Sequence, residues 1–360
     1  MAKKRPILAF AKELPQNIFA GFVVSLIALP LGLGLAIASE APPLSGIIAA
    51  VTGGIVVALF GGSHVTIAGP GNGLVIVLLA AITTLGEGNL YEGYLFTLAA
   101  IILSGGLLFL FGVLRLGAMS EFFPASALQG MLAAIGIGIL AKQFHVMLGI
   151  TSVPGGTVEQ LLRIPNSLLL FFGLHPFAGI LGAGSLLFLF LYSRIRNPYF
   201  HLIPAPMWVV VGSIAIGYYY TLILNSEVPI APELLIKIPA QLFSNLPRPN
   251  FEKLLDINFI GVVFSITLIA VIESLLSIKA VDKLDPKKRR SNVNKDLRAL
   301  GLASIVSGFL GGLNVVTVIA RSSVNANNGG TNRSANFFHS AFLVLFIVLL
   351  GDQIQRIPLT

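Results

Sequence analysis

The chain has 360 residues, of which 55% are hydrophobic and 11% are charged, and its net charge is +8. Because an average soluble domain carries about 25% charged residues, this composition excludes a chain covered by a water-compatible surface. The chain has no cysteine, which excludes disulfides and thiolate metal sites, and its five histidines show no metal-ligand spacing.

Apolar runs of about 20 residues recur along the chain, and each is long enough to cross a bilayer core of about 30 Å. They predict an all-α polytopic membrane protein with spans at 17–38, 43–61, 66–85, 91–114, 122–144, 174–195, 205–225, 256–282, 298–313 and 337–351. A less apolar segment, 321–336, lies between the last two spans. The polar stretches 145–173 and 226–255 are predicted to be long loops, and the chain ends after about the eleventh segment.

The first span is predicted to be retained, because its basic start, MAKKRPILAFAKELPQ, is not followed by a small-residue cleavage site. Pro30 is expected to kink this span and to free a backbone carbonyl. Gly32 and Gly34 are expected to let a neighbouring helix approach closely. Plain helix packing and a role in substrate binding both remain open for this stretch.

Two segments do not fit ordinary spanning helices: GGSHVTIAGPGNG at 61–73 and GGLNVVTVIARSSVNANNGG at 311–330. Each begins with a Gly-Gly pair that ends an apolar run, continues as a short β-branched piece, and then becomes polar and glycine-rich. Backbone at membrane depth must be buried in protein or line a cavity. Two such segments at matching places predict a transporter built from inverted repeats, although a surface loop is the alternative for the first.

The broken segments place two helix starts, near Gly71 and Ser322, at mid-membrane depth. The first turn of a helix has unpaired N–H groups and carries about half a positive charge. Two such ends that face each other would form an anion site. In the first segment, Asn72 could cap the helix, and His64 is expected to hydrogen-bond to the local backbone.

Glu273 lies inside an apolar run, where a carboxylate costs about 3 kcal/mol on insertion scales and is a functional candidate. Ser277 follows at i+4 and faces the same way, and together they suit Na⁺, whereas a protonated Glu273 would suit proton coupling. Arg321, at the second helix start, adds positive charge where an anion would bind. A structural ion pair between Glu273 and Arg321, or an arginine that reaches the membrane surface, is the alternative.

The distribution of basic residues predicts the topology. Clusters of Lys and Arg precede the first span and fill the 279–298 loop, whereas the alternate loops are mainly acidic. Basic loops stay in the cytoplasm during insertion, so the N-terminus is predicted to be cytoplasmic in the cell (inner) membrane. A topology signal, with contacts to anionic lipid headgroups, explains the net charge better than a nucleic-acid partner does.

Residues 28–70, ALPLGLGLAIASEAPPLSGIIAAVTGGIVVALFGGSHVTIAGP, resemble the signature of the SulP (sulfate permease) family. The stretch RSSVNANNGGTNRSAN, 321–336, resembles the family's tenth segment, and Glu273 resembles the acidic residue of its eighth. The resemblance covers essentially the whole chain. It implies a fold of seven plus seven inverted-repeat spans, divided into a core and a gate domain that move like an elevator.

The resemblance also implies domain bounds and site residues. The core domain would comprise 1–118 and 256–352, and the first half of the gate domain would comprise 119–255. The anion would sit between the third and tenth segments, in contact with Leu31, Leu35, Ala68, Gly69, Gly71, Asn72, Ala320, Arg321 and Ser322. Glu273 and Ser277 would hold the coupling cation, with Na⁺ possible and no other cofactor.

One departure from the family concerns the end of the chain, because family members continue with further gate spans and usually a cytoplasmic STAS domain. The chain is therefore expected to be a fragment, and the full-length protein is expected to be a homodimer. The resemblance implies secondary active transport of sulfate or bicarbonate, coupled to Na⁺ or H⁺. An anion channel, a chloride/bicarbonate exchanger and a nucleobase permease are the alternatives; no nucleophile–base pair or metal set indicates an enzyme.

Overall fold

The computed structural model describes residues 6–121, 125–150, 153, 155–170, 176–195, 204–223, 225, 230, 234–236 and 246–357. Within these ranges the chain forms twelve α-helices and two short strands, which confirms the predicted helical class. Parts of the predicted loops, the start of the span at 122–144 and the basic residues Lys3, Lys4 and Arg5 lie outside the described residues.

The elements are numbered here in chain order. They are α1 Pro6–Ala38, α2 Pro43–Phe60, β1 Ala68–Pro70, α3 Val75–Gly86, α4 Leu90–Val113, α5 Ala125–Met147, α6 Thr157–Leu170, α7 Pro176–Tyr192, α8 Ala205–Tyr218, α9 Ile257–Asp282, α10 Val293–Phe309, β2 Val315–Thr317, α11 Ile319–Asn327 and α12 Ser334–Ile354.

Among the described residues, five segments are long and apolar enough to cross a membrane: Lys12–Ala38, Pro43–Phe60, Leu90–Val113, Ile257–Asp282 and Ser334–Gly351. Shorter apolar helices occur at Asn72–Gly86, Phe177–Tyr192 and Ala205–Tyr218. Many of their large apolar side chains face outward, among them Leu59, Ile257, Phe264 and Leu349. A hydrocarbon solvent explains this exposure.

The chain divides into two compact units. Unit 1 comprises Met1–Leu128 and Gln241–Leu345, and unit 2 comprises Gln129–Ala240 and Phe346–Thr360. In unit 1, α4 packs against α3 and α10, and α2 packs against α1 and α10. The assignment of core and gate roles to parts of the chain, and the inverted repeat, stay predictions.

Two of the predicted elements are wrong. The stretch 66–85 does not cross as one helix, because Pro70 and the neighbouring glycines interrupt it: β1 is followed by a 3₁₀ turn at Asn72–Leu74 and by α3, which has only 12 residues. The predicted loop 145–173 contains α6, whose apolar and polar residues lie on opposite faces. A search for uniformly apolar runs does not detect such an amphipathic helix.

β1 and β2 form an antiparallel pair inside unit 1, with Ala68 opposite Thr317, Gly69 opposite Val316 and Pro70 opposite Val315. All six residues are buried. The β-branched residues of β2 favour an extended backbone, as the sequence predicts, whereas β1 begins one residue after the predicted VTI piece. The pairing satisfies backbone groups that would otherwise be unpaired at membrane depth.

The crossing of α1 and α2 depends on two glycines. Gly32 contacts the backbone of Gly46, and a Cβ built on Gly46 would collide with the Gly32 carbonyl oxygen. The close approach predicted for Gly32 is confirmed. Among the described residues, a Cβ on Gly34 would meet nothing within 4 Å, so that prediction is wrong for Gly34.

We expect Gly46→Ala to lower the stability of the chain by about 1–3 kcal/mol, because the added methyl group forces two backbones apart. The sample is heated in detergent, and the fraction of the protein that still elutes as a monodisperse peak measures this loss. Gly106→Ala in α4 is the matched control, since a Cβ there meets no atom of the described part of the chain within 4 Å. Equal behaviour of the two variants would contradict the close crossing.

Candidate functional site

The β1–β2 pair places two helix starts next to each other in unit 1. The 3₁₀ turn and α3 follow β1 after Gly71, and α11 begins at Ile319, two residues after β2. The N–H of Val318 donates to the Ile67 carbonyl at 3.0 Å, which fixes the start of α11 against the segment that precedes β1. The strands thus hold the two helix N-termini close to each other in unit 1.

Arg321 is the largest fully buried side chain among the described residues, with 1% of its surface exposed. None of its three guanidinium nitrogens has a hydrogen-bond partner among those residues. The guanidinium lies against Gly69, where an added Cβ would collide with Nη1. An isolated buried charge costs far more free energy than a paired one, so an anionic partner in this position would lower the free energy of the site.

Glu273, in the middle of α9, lies against the start of the α3 segment and is 9% exposed. Its Oε1 accepts a hydrogen bond from the Gly73 N–H at 3.4 Å, and its Oε2 has no partner among the described residues. A Cβ built on Gly71 would lie 2.6 Å from Oε2, and one on Gly73 would lie 2.8 Å from the same atom. A side chain at either position would therefore force the Glu273 carboxylate to move.

The two buried charges lie along one face of the β1 segment. Gly69 contacts Arg321, Gly71 contacts Glu273, and the backbone at Gly71 is extended (φ −85°, ψ 137°). Alternate residues of an extended chain point to the same face, about 7 Å apart. No ion pair joins Glu273 to Arg321, because every nitrogen of the guanidinium is unpartnered among the described residues, so the structural ion-pair alternative is wrong.

The other predicted anion-site residues differ in how they are placed. Ala68 and Gly69 are buried, whereas Asn72 and Ala320 are exposed. Leu31 and Leu35 are half-buried on α1. This helix contacts α3, β1 and α11. Ser322 is fully buried, and its hydroxyl donates to the Val318 carbonyl and accepts from the Ile67 N–H at 2.9 Å. These bonds give Ser322 a structural role at the start of α11.

Ser277 lies one helical turn after Glu273 and is 3% exposed. Its hydroxyl makes no hydrogen bond to any residue that the structure describes, so it is available to a ligand beside the carboxylate. His64 likewise makes no hydrogen bond within the described part of the chain, which contradicts the expected bond to the local backbone; it is half-buried and lines a cavity.

Sequence reasoning missed three buried polar residues at the start of α12, Asn336, His339 and Ser340. Asn336 Oδ1 accepts from the Ala68 N–H at 3.4 Å, and Ser340 Oγ donates to the Ala50 carbonyl at 3.4 Å. The ring nitrogens of His339 have no hydrogen-bond partner among the described residues. Their spacing of three and four positions in an apolar helix was a usable signal, because it places all three on one face.

A buried carboxylate anchors the first broken segment where it leaves α2. Asp296 accepts hydrogen bonds from the N–H groups of Gly62 and Ser63, at 2.7 and 3.0 Å, and from the Ser63 hydroxyl. It is 1% exposed. This interaction joins α10 to the segment that leads into β1.

We expect Asp296→Ala to lower the unfolding midpoint sharply, with a loss of about 3 kcal/mol or more, because three donors would lose their acceptor. Asp256→Ala is the control: Asp256 caps α9 through one exposed bond to the Asn258 N–H, and its removal should cost about 1 kcal/mol. Thermal unfolding in detergent measures both variants, and an Asp296 variant no less stable than the control would contradict this role.

The sequence profile of the Sulfate permease family matches residues 14–360. The chain is 27% identical over 357 residues to "Putative sulfate transporter YvdB" of Bacillus subtilis (strain 168), covering 97% of the chain and 62% of that protein. It is 26% identical over 343 residues to "Bicarbonate transporter BicA" of Picosynechococcus sp., covering 94% of the chain and 58% of that protein. The chain thus spans about three fifths of the length of these curated relatives.

Two solved structures share the fold. The transmembrane domain of a cyanobacterium bicarbonate transporter, BicA, matches with a TM-score of 0.79 and 24% identity, covering 96% of the chain and 85% of that structure. The murine anion transporter Slc26a9 in its inward-facing state matches with a TM-score of 0.81 and 17% identity, covering 100% of the chain and 62% of that structure. At these identities the likeness establishes the fold alone.

Proposed function

The chain belongs to the sulfate permease family, and from that premise we propose that it carries a small inorganic anion, sulfate or bicarbonate, across a membrane. The observation that carries the proposal is the buried Arg321 guanidinium, which has no partner among the described residues. A bound anion would accept the hydrogen bonds that this guanidinium leaves unmade. Family members are transporters and not enzymes, and the proposed function contains no chemical step.

The proposed anion site lies between β1 and the start of α11. Arg321 supplies a full positive charge, and the first turn of α11 adds the partial charge of its free N–H groups. Its neighbour Gly69 leaves room for the guanidinium in this position, since a side chain there would force Nη1 to move. Leu31 and Leu35 are proposed to close the site from α1.

Glu273 is proposed to bind the coupling cation, either Na⁺ with Ser277 as a second ligand or a proton on the carboxylate itself. An ionised Glu273 repels an anion that approaches the same face of the β1 segment. A cation bound at Glu273 removes that repulsion, so each ion raises the affinity for the other. This reciprocal effect would couple the two movements, so that a cation moving down its own gradient drives accumulation of the anion.

All of the predicted binding residues belong to unit 1. We therefore propose that unit 1 carries the ions and that unit 2 belongs to the gate of an elevator-type cycle. The excess of Lys and Arg in the 283–298 loop supports a cytoplasmic location for that loop and for the N-terminus. A homodimer is proposed for the full-length protein.

Uptake into proteoliposomes tests the proposed function. The full-length protein should accumulate labelled sulfate or labelled bicarbonate, and an inward gradient of Na⁺ or protons should increase the rate. Empty liposomes and an excess of unlabelled anion are the controls. If neither anion is taken up, and the protein instead takes up a nucleobase in competition with uracil, a nucleobase permease becomes the better assignment.

A further inference from the structure

One end of unit 1 is held together by polar bonds between segments that are distant in sequence. Glu13 of α1 binds Lys287 at 2.5 Å and the Thr331 hydroxyl at 2.8 Å. Asn17 Oδ1 accepts from the N–H groups of Thr331 and Asn332. These bonds bring α1, the loop 283–292 and the turn 328–334 together at what is called here the basic end.

A cavity of about 520 Å³ opens at the basic end, between α1, α2 and the first turn of α12. Its walls are of two kinds. Leu14, Leu59, Phe337 and Phe338 form an apolar wall, and His64, Asn332, Arg333 and Ser334 form a polar end. Leu59 is 61% exposed and Phe337 is 43% exposed, so the apolar wall continues onto the outer surface of the unit.

Arg333 supplies the positive charge of the polar end. Its Nη1 donates to the Gly61 carbonyl at 2.5 Å, which fixes the guanidinium beside the turn that carries His64. None of the ion pairs between described residues involves Arg333, and the remaining guanidinium N–H groups have no described acceptor. A fixed guanidinium with free donors matches the geometry of a phosphate group.

The surrounding loop adds further positive charge. Between 282 and 298 there are seven basic and three acidic side chains, and all three acidic groups are engaged. Asp282 binds Ser291, Asp285 binds Arg289, and Asp296 binds the 62–63 backbone. Burial opposes ionisation of Asp285, but bonds from Arg289 and the nearby backbone N–H groups hold the pKa of its carboxyl below the usual range. Lys283, Lys288, Arg290 and Lys295 remain exposed and have no described acidic partner.

We propose that the cavity at the basic end binds an anionic phospholipid of the surrounding bilayer, with its phosphate at Arg333 and His64 and its acyl chains along Leu59 and Phe337. A guanidinium next to an apolar wall that opens onto the hydrocarbon-facing surface fits both parts of such a molecule. A soluble anion would leave the apolar wall uncovered, and an uncharged lipid would leave the net charge of the basic end unmatched.

The lipid occupies a site separate from the transported anion. Its residues join α1, α2 and α12 at their ends, whereas Arg321 and Glu273 lie at the strand pair inside the unit. Because Arg333 binds Gly61 and Asn332 binds Glu13, a lipid at this position stabilises the contacts that the turn 328–334 makes with the end of α2 and with α1. The inference therefore stands on its own observations and does not depend on the proposed function.

Native mass spectrometry of the purified chain tests the inference, with titration of dioleoylphosphatidylglycerol and dioleoylphosphatidylcholine in separate samples. We expect the anionic lipid to bind at least about tenfold more tightly, and we expect Arg333→Gln to remove that preference. Arg248→Gln is the charge-matched control. Arg248 is exposed and lies far from the basic end. Its near neighbour Asn250 donates a hydrogen bond to the Leu95 carbonyl, close to the start of α4, whereas the segment after the end of α4 contacts Asn294 of α10.

Phe337→Ser gives a second, independent test if Arg333→Gln does not fold, because Phe337 is exposed and makes no hydrogen bond through its side chain. It should weaken binding of the anionic lipid about tenfold while the control retains full affinity. Equal affinity for the two lipids, or unchanged binding by the folded Arg333→Gln or Phe337→Ser variant, would overturn the inference. Displacement of the lipid by an equal concentration of glycerol 1-phosphate would also overturn it, because the site would then be one for a soluble anion.

Discussion

Replacing Arg321 with glutamine should reduce anion uptake at least about a hundredfold and, at the same time, raise the thermal stability of the chain. Uptake falls because the buried guanidinium is the main source of positive charge at the proposed anion site. Stability rises because the variant no longer buries a charge without a partner. Labelled uptake in proteoliposomes and the unfolding midpoint in anion-free buffer measure the two effects.

The opposite sign of the two effects separates a ligand-binding role from a structural one. A purely structural arginine would lower stability when it is replaced. Arg321→Lys should keep part of the uptake, because lysine keeps the charge but loses the planar fork of donors that fits an oxyanion. Arg248→Gln, which removes an exposed arginine, is the control. An Arg321→Gln variant that transports at the normal rate, or that is less stable, would contradict this assignment.

Replacing Glu273 with glutamine should abolish the dependence of uptake on a cation gradient while the chain still folds. Glutamine keeps the shape and the acceptor oxygen that faces the Gly73 N–H, but it cannot carry a negative charge or release a proton. The variant should equilibrate the anion across the membrane without accumulating it. Uptake rates with and without inward Na⁺ and proton gradients, measured for the normal chain and the variant, give the answer.

Ser277→Ala distinguishes the two coupling ions. If Na⁺ is the coupling ion, loss of the hydroxyl should weaken the dependence on Na⁺, since an oxygen ligand is removed; if a proton is the coupling ion, the gradient dependence should remain. Ser265→Ala is the matched control on the same helix, because its hydroxyl is exposed and bonds only the Gly261 carbonyl. A Glu273→Gln variant with unchanged gradient dependence would contradict the proposed cation site.

Much of the fold follows from composition and from the position of glycine and proline. The long apolar runs predict the spanning helices, and the bounds of α2, α4 and α9 agree with the predicted spans to within one residue at each end. The two broken segments are visible because each combines a Gly-Gly pair with a short β-branched piece and a polar, glycine-rich stretch, whereas the Gly-Gly pairs inside α2 and α4 lie in unbroken apolar runs. The pairing of those segments required the structure, because two strands of three residues give no pattern that identifies a partner 247 positions away.

Part of the candidate site was also predictable from the composition of the apolar runs. Glu273 and Arg321 stand out because a charge in an apolar run costs free energy, and both are buried as that argument expects. Their arrangement along the β1 segment was not predictable, since it depends on which glycine each side chain contacts. Asn336 and His339 were missed because neutral polar residues in a helix are common, and the hydrogen bond from the Ala68 N–H to Asn336 is visible only in the structure.

Isothermal titration of the purified chain with sulfate, and separately with bicarbonate, tests the central claim most directly, because it measures the binding site without requiring a complete transport cycle. The normal chain should bind one of the two anions at one site, and the Arg321→Gln variant should show no heat of binding. Equal binding by the normal chain and the folded Arg321→Gln variant would contradict an anion site at the buried guanidinium.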